Sequence, residues 1–450
     1  MRFPIVLAAL ALLGSAASAQ PLPQLPGQAA RPVEGPVTYY VQVGRLLADP
    51  ASGRVLTNKT LVVTDGRIRE IVDGRVQPVD APGGRFEVID LGDSFVLPGL
   101  IDSHVHLTGQ QNPNARLEEV TQSTATQAMV GAGYARKTLE AGFTTVVDLG
   151  ADNEAIFALR DAVNRGDVEG PRILASGSAV SVHGGHGDVN GYRGDVMHVL
   201  RPESVCSGVE DCRRAVREQV WRGADVIKIT ATGGVLSNTA AGLAQQFLED
   251  ELRSIVEAAH RMGRKVTAHA HGADGVNAFL KAGGDSIEHG TYLDEESIRL
   301  FRQGNRYLVP TLMAGDFVAR IASSPQNFFT PSQSAKAREA GPKMLDMARR
   351  AHAGGVRIAF GTDSGVSAHG DNAGEFVLLV RAGMTPLQAI QTATVNAADH
   401  VQLSREIGSL APGKAADLIA VRGDPLRDVA ELQRVTFVMK GGKVAKQVRR

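Results

Sequence analysis

A chain of 450 residues, 43% of them hydrophobic, is long enough for one large domain beside a smaller one and too apolar for wholesale disorder. Its 48 Lys and Arg are balanced by 48 Asp and Glu. No excess charge draws a polyanion, so nucleic acid is excluded as an expected partner. The first residues, MRFPIVLAALALLGSAASAQ, set one Arg before an apolar run and end on Ala17-Ser18-Ala19. This is the layout of a secretory leader cut after Ala19, with an apolar run too short to anchor in a bilayer, and it predicts a secreted or periplasmic protein. Residues 20–36, rich in Pro, Gln and Gly, read as a flexible lead-in.

From 37 to 96 the segments YYVQVGRLL, KTLVVTDGRIREIV and RFEVIDLG alternate or run apolar between turn signals, as short strands do. Residues 404–450 behave alike in ADLIAVRG and RVTFVMKGGKVAK, with Gly441-Gly442 as a hairpin turn. Both termini therefore supply strands, and one small β-sandwich built from both is the simplest arrangement. Between them, 97–403 alternates strands with helices such as 211–222, 248–262 and 335–353. The strands are GLIDSHVHL, TTVVDLG, RILASG, DVIKIT, KVTAHAH, DSIEHG, RYLVP and RIAFGTD. Eight β/α units in this length predict an α/β fold, a closed (β/α)8 TIM barrel. Cys206 and Cys212 have neither zinc-ribbon nor redox-pair spacing; in an exported chain they close a short disulfide loop or stay as two thiols.

The barrel strands are apolar until their last residues, where metal-capable side chains appear. His104 and His106 share the inward face of strand 1 by alternation. Lys228 lies in an apolar strand 4 that favours its neutral amine. His269 and His271 end strand 5, His289 strand 6 and Asp363 strand 8. Imidazoles with one carboxylate are a ligand set for zinc or a similar divalent ion. Each alone has a plainer reading, as a hydrogen-bonded structural histidine, a paired lysine or a turn aspartate. Together, at one face of one barrel, they point to a metal site. His198, His260, His352 and His400 fall in helical or loop stretches and are expected to face solvent.

This constellation resembles the amidohydrolase superfamily over almost the whole mature chain. VLPGLIDSHVHL is similar to its strand-1 signature, GTDSG to that of strand 8, and IGSLAPGKAADLIAV with VMKGGKV to its C-terminal return. KITATGGVLS, HAHG and EHGTYLD bring it nearest the imidazolonepropionase-like branch of Xaa-Pro and Xaa-Arg/Lys dipeptidases and carboxypeptidases, with ochratoxinase-type enzymes close by. The resemblance implies two divalent ions, zinc foremost, bridged by carboxylated Lys228. His104, His106 and Asp363 would hold the first, and His269 and His289 the second, with His269 taken over His271 on the family's spacing. It implies Asp363 as the catalytic proton carrier. His186, His271, Tyr192 and the loop through Val235 are the substrate-binding candidates, although His271 stands where some relatives have tyrosine. The implied reaction is cleavage of the amide bond of a dipeptide or N-acyl amino acid with a free carboxylate, ochratoxin-type amides among them. The competing readings are a cyclic amide or imide hydrolase, a mononuclear deaminase of the same fold, and a non-catalytic binding protein. Expected partners are the small-molecule or dipeptide substrate and further copies of the chain in a homo-oligomer, without stable membrane insertion.

Overall fold

The computed structural model describes residues 37–78, 85–239 and 241–448. The leader and lead-in lie outside the described residues.

Strands from both ends of the chain build one seven-stranded sheet. Its order is Lys443–Gln447, Phe437–Lys440, Leu418–Val421, Arg85–Pro98, Val37–Leu46, Leu56–Thr64 and Arg67–Asp73. Period-two alternation decides which face is buried. Val41 and Val43, Leu61 and Val63, Ile89 and Leu91, Leu418 and Ala420, and Phe437 and Met439 all enter the same apolar cluster. The pivotal strand is Arg85–Pro98, longer than the alternating RFEVIDLG alone predicts. It pairs parallel with Val37–Leu46 and antiparallel with Leu418–Val421. The last hairpin turns through Gly441 and Gly442, both at positive φ (53° and 74°), the backbone that a two-residue primed turn demands. The sheet fits the small sandwich domain read from the sequence.

The long strand runs straight into the first strand of the barrel, Leu100–Val105. This pairs in parallel with Phe143–Asp148 and then Arg172–Ala175. A second parallel arc holds Ile227–Thr230, Val266–Ala270, Ser286–His289, Tyr307–Val309 and Arg357–Ile358. Backbone hydrogen bonds close both seams. Asp225 N donates to Ala175 O (2.8 Å) and Val180 N to Lys228 O (2.8 Å). At the other seam Ser103 N donates to Phe360 O (2.8 Å), Asp363 N to His104 O (2.7 Å) and His106 N to Ser364 O (2.7 Å). Outward residues such as Ile227, Ile229, Val266, Ala268 and Ile287 join the main core with the helices. The inward ones are largely polar, and this sets up the site.

Helices Val209–Arg222 and Glu249–Arg261 lie where the apolar periodicity puts them. The continuous helix expected over 335–353 is instead two, Pro331–Ala340 and Met344–Ala353, joined by one 3-10 turn at Gly341–Lys343. Pro342 has no amide hydrogen and its ring crowds the preceding turn, so an α-helix cannot pass through it. Cys206 and Cys212 form a disulfide, tying the start of the helix to the strand-3 loop. Among the described residues no helix is long and apolar enough to cross a membrane.

Candidate metal centre

At the carboxyl ends of the strands, His104 Nε2, His106 Nε2 and Asp363 Oδ1 converge. They form the one group of three metal-capable side chains among the described residues whose ligand atoms lie within 4.8 Å of one another. Asp363 Oδ1 is 3.3 Å from His104 Nε2 and 3.0 Å from His106 Nε2. Neither contact has the alignment of a hydrogen bond, so this buried oxygen has no donor. Leaving such an atom unsatisfied costs about 1–3 kcal/mol. An acceptor facing two imidazole lone pairs is an arrangement that a cation relieves.

The partners of the other ring nitrogens fix those lone pairs. His104 Nδ1 is 2.7 Å from Glu288 Oε2 and His106 Nδ1 2.7 Å from the Gly150 carbonyl. Both acceptors draw the proton to Nδ1 and leave Nε2 bare, as in carboxylate-oriented metal ligands. Glu288 is held in turn by the Thr267 hydroxyl at 2.5 Å. The donor set therefore fits a divalent ion.

Beside this triad lies Lys228, whose Nζ is 3.5 Å from His104 Nε2. Burial lowers the Lys228 pKa, against the pull of Glu288, Asp363 and Asp148, and so favours the free amine. On its far side the rings of His269 and His289 are 4.6 Å apart, and His289 is 5.3 Å from His104. His269 Nε2 faces the Gly233 carbonyl at 3.4 Å, leaving Nδ1 for a ligand role, while His289 Nδ1 meets the Thr311 hydroxyl at 2.7 Å. Burial pushes the Asp363 carboxyl up, but His104, His106 and Lys228 outweigh it and hold it down at about 2.

Strand alternation explains most of this convergence but not all. On strand 6 Ile287 packs outward and Glu288 points in toward His104, so His289 should point out. Its φ of 73° turns it inward. Asp363 (φ 58°) and Thr311 (φ 51°) share that left-handed backbone at the ends of strands 8 and 7. Such residues cost of the order of 1–3 kcal/mol each, and Thr311 is β-branched, so surroundings must enforce them. Glu375 does so for Thr311. It accepts from Leu312 N (2.9 Å) and Met313 N (2.7 Å), and burial pushes its carboxyl up to about 8. Asp102 does so at the closing seam. It takes the amides of His104 and Thr362 (both 3.1 Å), the Thr362 hydroxyl (2.6 Å) and Asn372 Nδ2 (2.7 Å).

The substrate-binding candidates divide. His186 joins the cluster, its ring 4.2 Å from His269 and its Nδ1 2.6 Å from the Ser237 hydroxyl. His271 stacks on His289 at 5.0 Å and bonds Thr291 Oγ1 at 2.7 Å. Burial drives both imidazoles down, His186 to about 3 and His271 to about 4. Val235 is buried in a satellite apolar cluster with Val318, Phe329 and Ala337, beside Tyr292 and Val366. Tyr192 is bonded to helix Ala115–Thr121. Its hydroxyl donates to Glu119, with the Arg116 carbonyl 2.9 Å away, and its ring carries the Arg116 guanidinium at 4.3 Å. With 31% of its side chain exposed, against 1% for His104, His106 marks the side on which the triad opens.

Of the histidines expected at the surface, His198 and His260 are exposed and His352 is half-buried. His400 departs from expectation. It packs beside Tyr307 at 5.2 Å, its Nδ1 is buried without a partner, and burial lowers it to about 4. Glu288, Asp102, Glu375 and Thr311 are not among the residues singled out from the sequence, although Glu288 adjoins His289 in EHG and Asp102 stands two residues before His104 in GLIDSHVHL. A cavity of about 660 Å³ opens at the opposite end of the barrel, among Lys265, Arg306, Arg357 and Arg405. Asp285 and Asp399 line it too, Asp399 paired with Arg357 at 2.8 Å, and among the described residues no metal-capable triad lies there.

Comparison with known proteins agrees with this chemistry. The amidohydrolase family profile matches residues 95–445. An ochratoxinase from Aspergillus niger is 34% identical over 471 aligned positions, covering 98% of this chain and 95% of its own. A Xaa-Pro dipeptidase structure with methionine in its active site superposes with a TM-score of 0.85 at 39% identity, over 90% of this chain and 99% of that one. A prolidase bound to N-methylphosphonate-L-proline gives 0.82 at 32% identity, over 91% of this chain and all of its own.

Proposed function

Since this chain belongs to the amidohydrolase family and is a hydrolase of amide bonds, we propose that it cleaves dipeptides or N-acyl amino acids bearing a free carboxylate, using two divalent ions, zinc foremost. The observation that carries the reading is the triad of His104, His106 and Asp363 with the buried Lys228 amine against it. The bound methionine and prolyl phosphonate of the two solved relatives support a substrate with a carboxylate on its leaving-group side.

In this reading His104, His106 and Asp363 would hold one ion and His269 and His289 the other, and Lys228, once carboxylated by CO2, would add an anionic ligand beside them. Only an unprotonated amine attacks CO2, and the burial of Lys228 favours that form. Such ions, when bound, would supply Lewis acidity and lower the pKa of water toward neutral. Asp363 Oδ2 takes the proton of the attacking water and returns it to the departing nitrogen, base then acid, as the C–O bond forms and the C–N bond breaks. His186 and His271 receive the substrate's carboxylate. Val235 and the apolar cluster behind it exclude water from the bond being cut. We place the protein outside the cytoplasm, a reading supported by the leader pattern and by the Cys206–Cys212 disulfide. Self-association into a homo-oligomer belongs to the same proposal.

The test is amino-acid release from a panel of dipeptides and N-acyl amino acids by the mature chain reconstituted with zinc and bicarbonate. Release that needs both additions is expected. Two ions bound without release would replace this reading with a cyclic amide or imide hydrolase. One ion per chain, with activity indifferent to bicarbonate, would replace it with a mononuclear deaminase; the single complete triad is the feature that keeps that alternative in view.

A further inference from the structure

Helix Pro331–Ala340, in the segment after strand 7, grips the loop after strand 4. Three side chains from the first turns of helix Pro331–Ala340 do this, every one on a carbonyl. Ser332 Oγ donates to Thr239 O (2.7 Å) and Gln333 Nε2 to Leu236 O (2.6 Å). Lys336 Nζ donates to Gly234 O (2.8 Å), Ser237 O (2.8 Å) and Thr239 O (3.3 Å). The half-buried ammonium thus spends its three protons on one loop, and among the described residues no carboxylate pairs with it. The gripped loop in turn touches the histidines. Ser237 Oγ is 2.6 Å from His186 Nδ1, and the Gly233 carbonyl is 3.4 Å from His269 Nε2. A Cβ on Gly234 would lie 2.2 Å from His186 Cε1, so backbone and imidazole are in direct contact.

We propose that Lys336 is a positioning residue for the substrate pocket: by holding the carbonyls of 234–239 it seats Ser237 and Gly234 against His186, and so sets where the substrate's carboxylate is received. This rests on the amide-hydrolase reading with His186 at that carboxylate. A purely structural lysine would affect stability, kcat and KM together. A positioning lysine acts on KM and couples to Ser237.

The experiment uses the full mature chain as parent, K336M, K336R, S237A and the K336M/S237A double variant. The first readout, on metal-free protein, is amide hydrogen exchange in 233–239. K336M should speed it at least about tenfold and K336R much less, one kept donor group being worth a comparable factor. The second is steady-state kinetics on an amide that the parent cleaves. K336M and S237A should each raise KM about tenfold with kcat within about threefold, and the double variant little beyond either, since residues acting in series are not additive. Unchanged exchange in K336M overturns the proposal. So does a KM unchanged in K336M, or effects that multiply in the double variant. Should the parent cleave no amide, the functional reading and the carboxylate role fall with it, while exchange still decides whether Lys336 holds the loop.

Discussion

On one side of the barrel mouth, His104, His106 and Asp363 bring three ligand atoms together and carry their own orienting partners in Glu288 and the Gly150 carbonyl. Across from them stand the imidazoles of His269 and His289, with the amine of Lys228 beside His104. The first side is a complete triad from encoded side chains; in the two-ion reading proposed above, the second would take its anion from carboxylated Lys228. The difference teaches that the two sides should answer differently to substitution, and that the second should depend on dissolved CO2.

The largest effect should come from Asp363→Asn, which removes both the anion of the first side and the proposed proton carrier. Turnover should fall by about 10³-fold or more, measured as amino-acid release at saturating substrate. Near-parental turnover would break the assignment of that carrier. Lys228→Ala should be next. Metal content by elemental analysis should drop from about two ions per chain to about one, with activity down about a hundredfold. A variant that keeps two ions and full activity would mean that the second side is complete without the amine. Glu288→Gln should leave both sides populated yet weaken the first, raising the chelator sensitivity of one ion by about 10–100-fold. An equal effect on both ions would show that Glu288 serves the cluster as a whole.

The smallest effect concerns stability. The Glu375 carboxyl, pushed up to about 8 in the fold from an ordinary 4.5, favours the folded state fully below about pH 4.5 and progressively less as pH rises through 8. Glu375→Gln carries no such proton. Its melting temperature should therefore gain on that of the parent between pH 6 and pH 9. A constant difference across that range would place the carboxyl's titration elsewhere.

Much of this site was legible because strands alternate. His104 with His106, and His269 with His271, follow from period two, and the sheet of both termini follows from alternating apolar residues closed by Gly441-Gly442. Legibility failed where backbone conformation overrode alternation. By parity Glu288 is the inward residue of strand 6, and His289 enters only through its left-handed φ, a property without a signature in one sequence. Pro342 was a written signal, and the helix over 335–353 divides at it. Where Tyr192 and His400 lie was illegible for a different reason. Partners far along the chain, Arg116 and Glu119 for one and Tyr307 for the other, decide where those side chains lie. Lys336 was invisible because its partners are carbonyls, which every residue has.

The terminal sheet also governs the order in which a newly made chain can fold. Arg85–Pro98 feeds the first barrel strand, yet one of its neighbours, Leu418–Val421, is synthesised only after the entire barrel. At about 5–20 residues per second that partner arrives tens of seconds later. Until then the strand presents an unpaired apolar edge, open to the wrong partner. Ribosome-bound chains expressed without export would spend that interval exposed, and aggregation during expression should be relieved by anything that holds residues 85–98 apart until the last strands emerge.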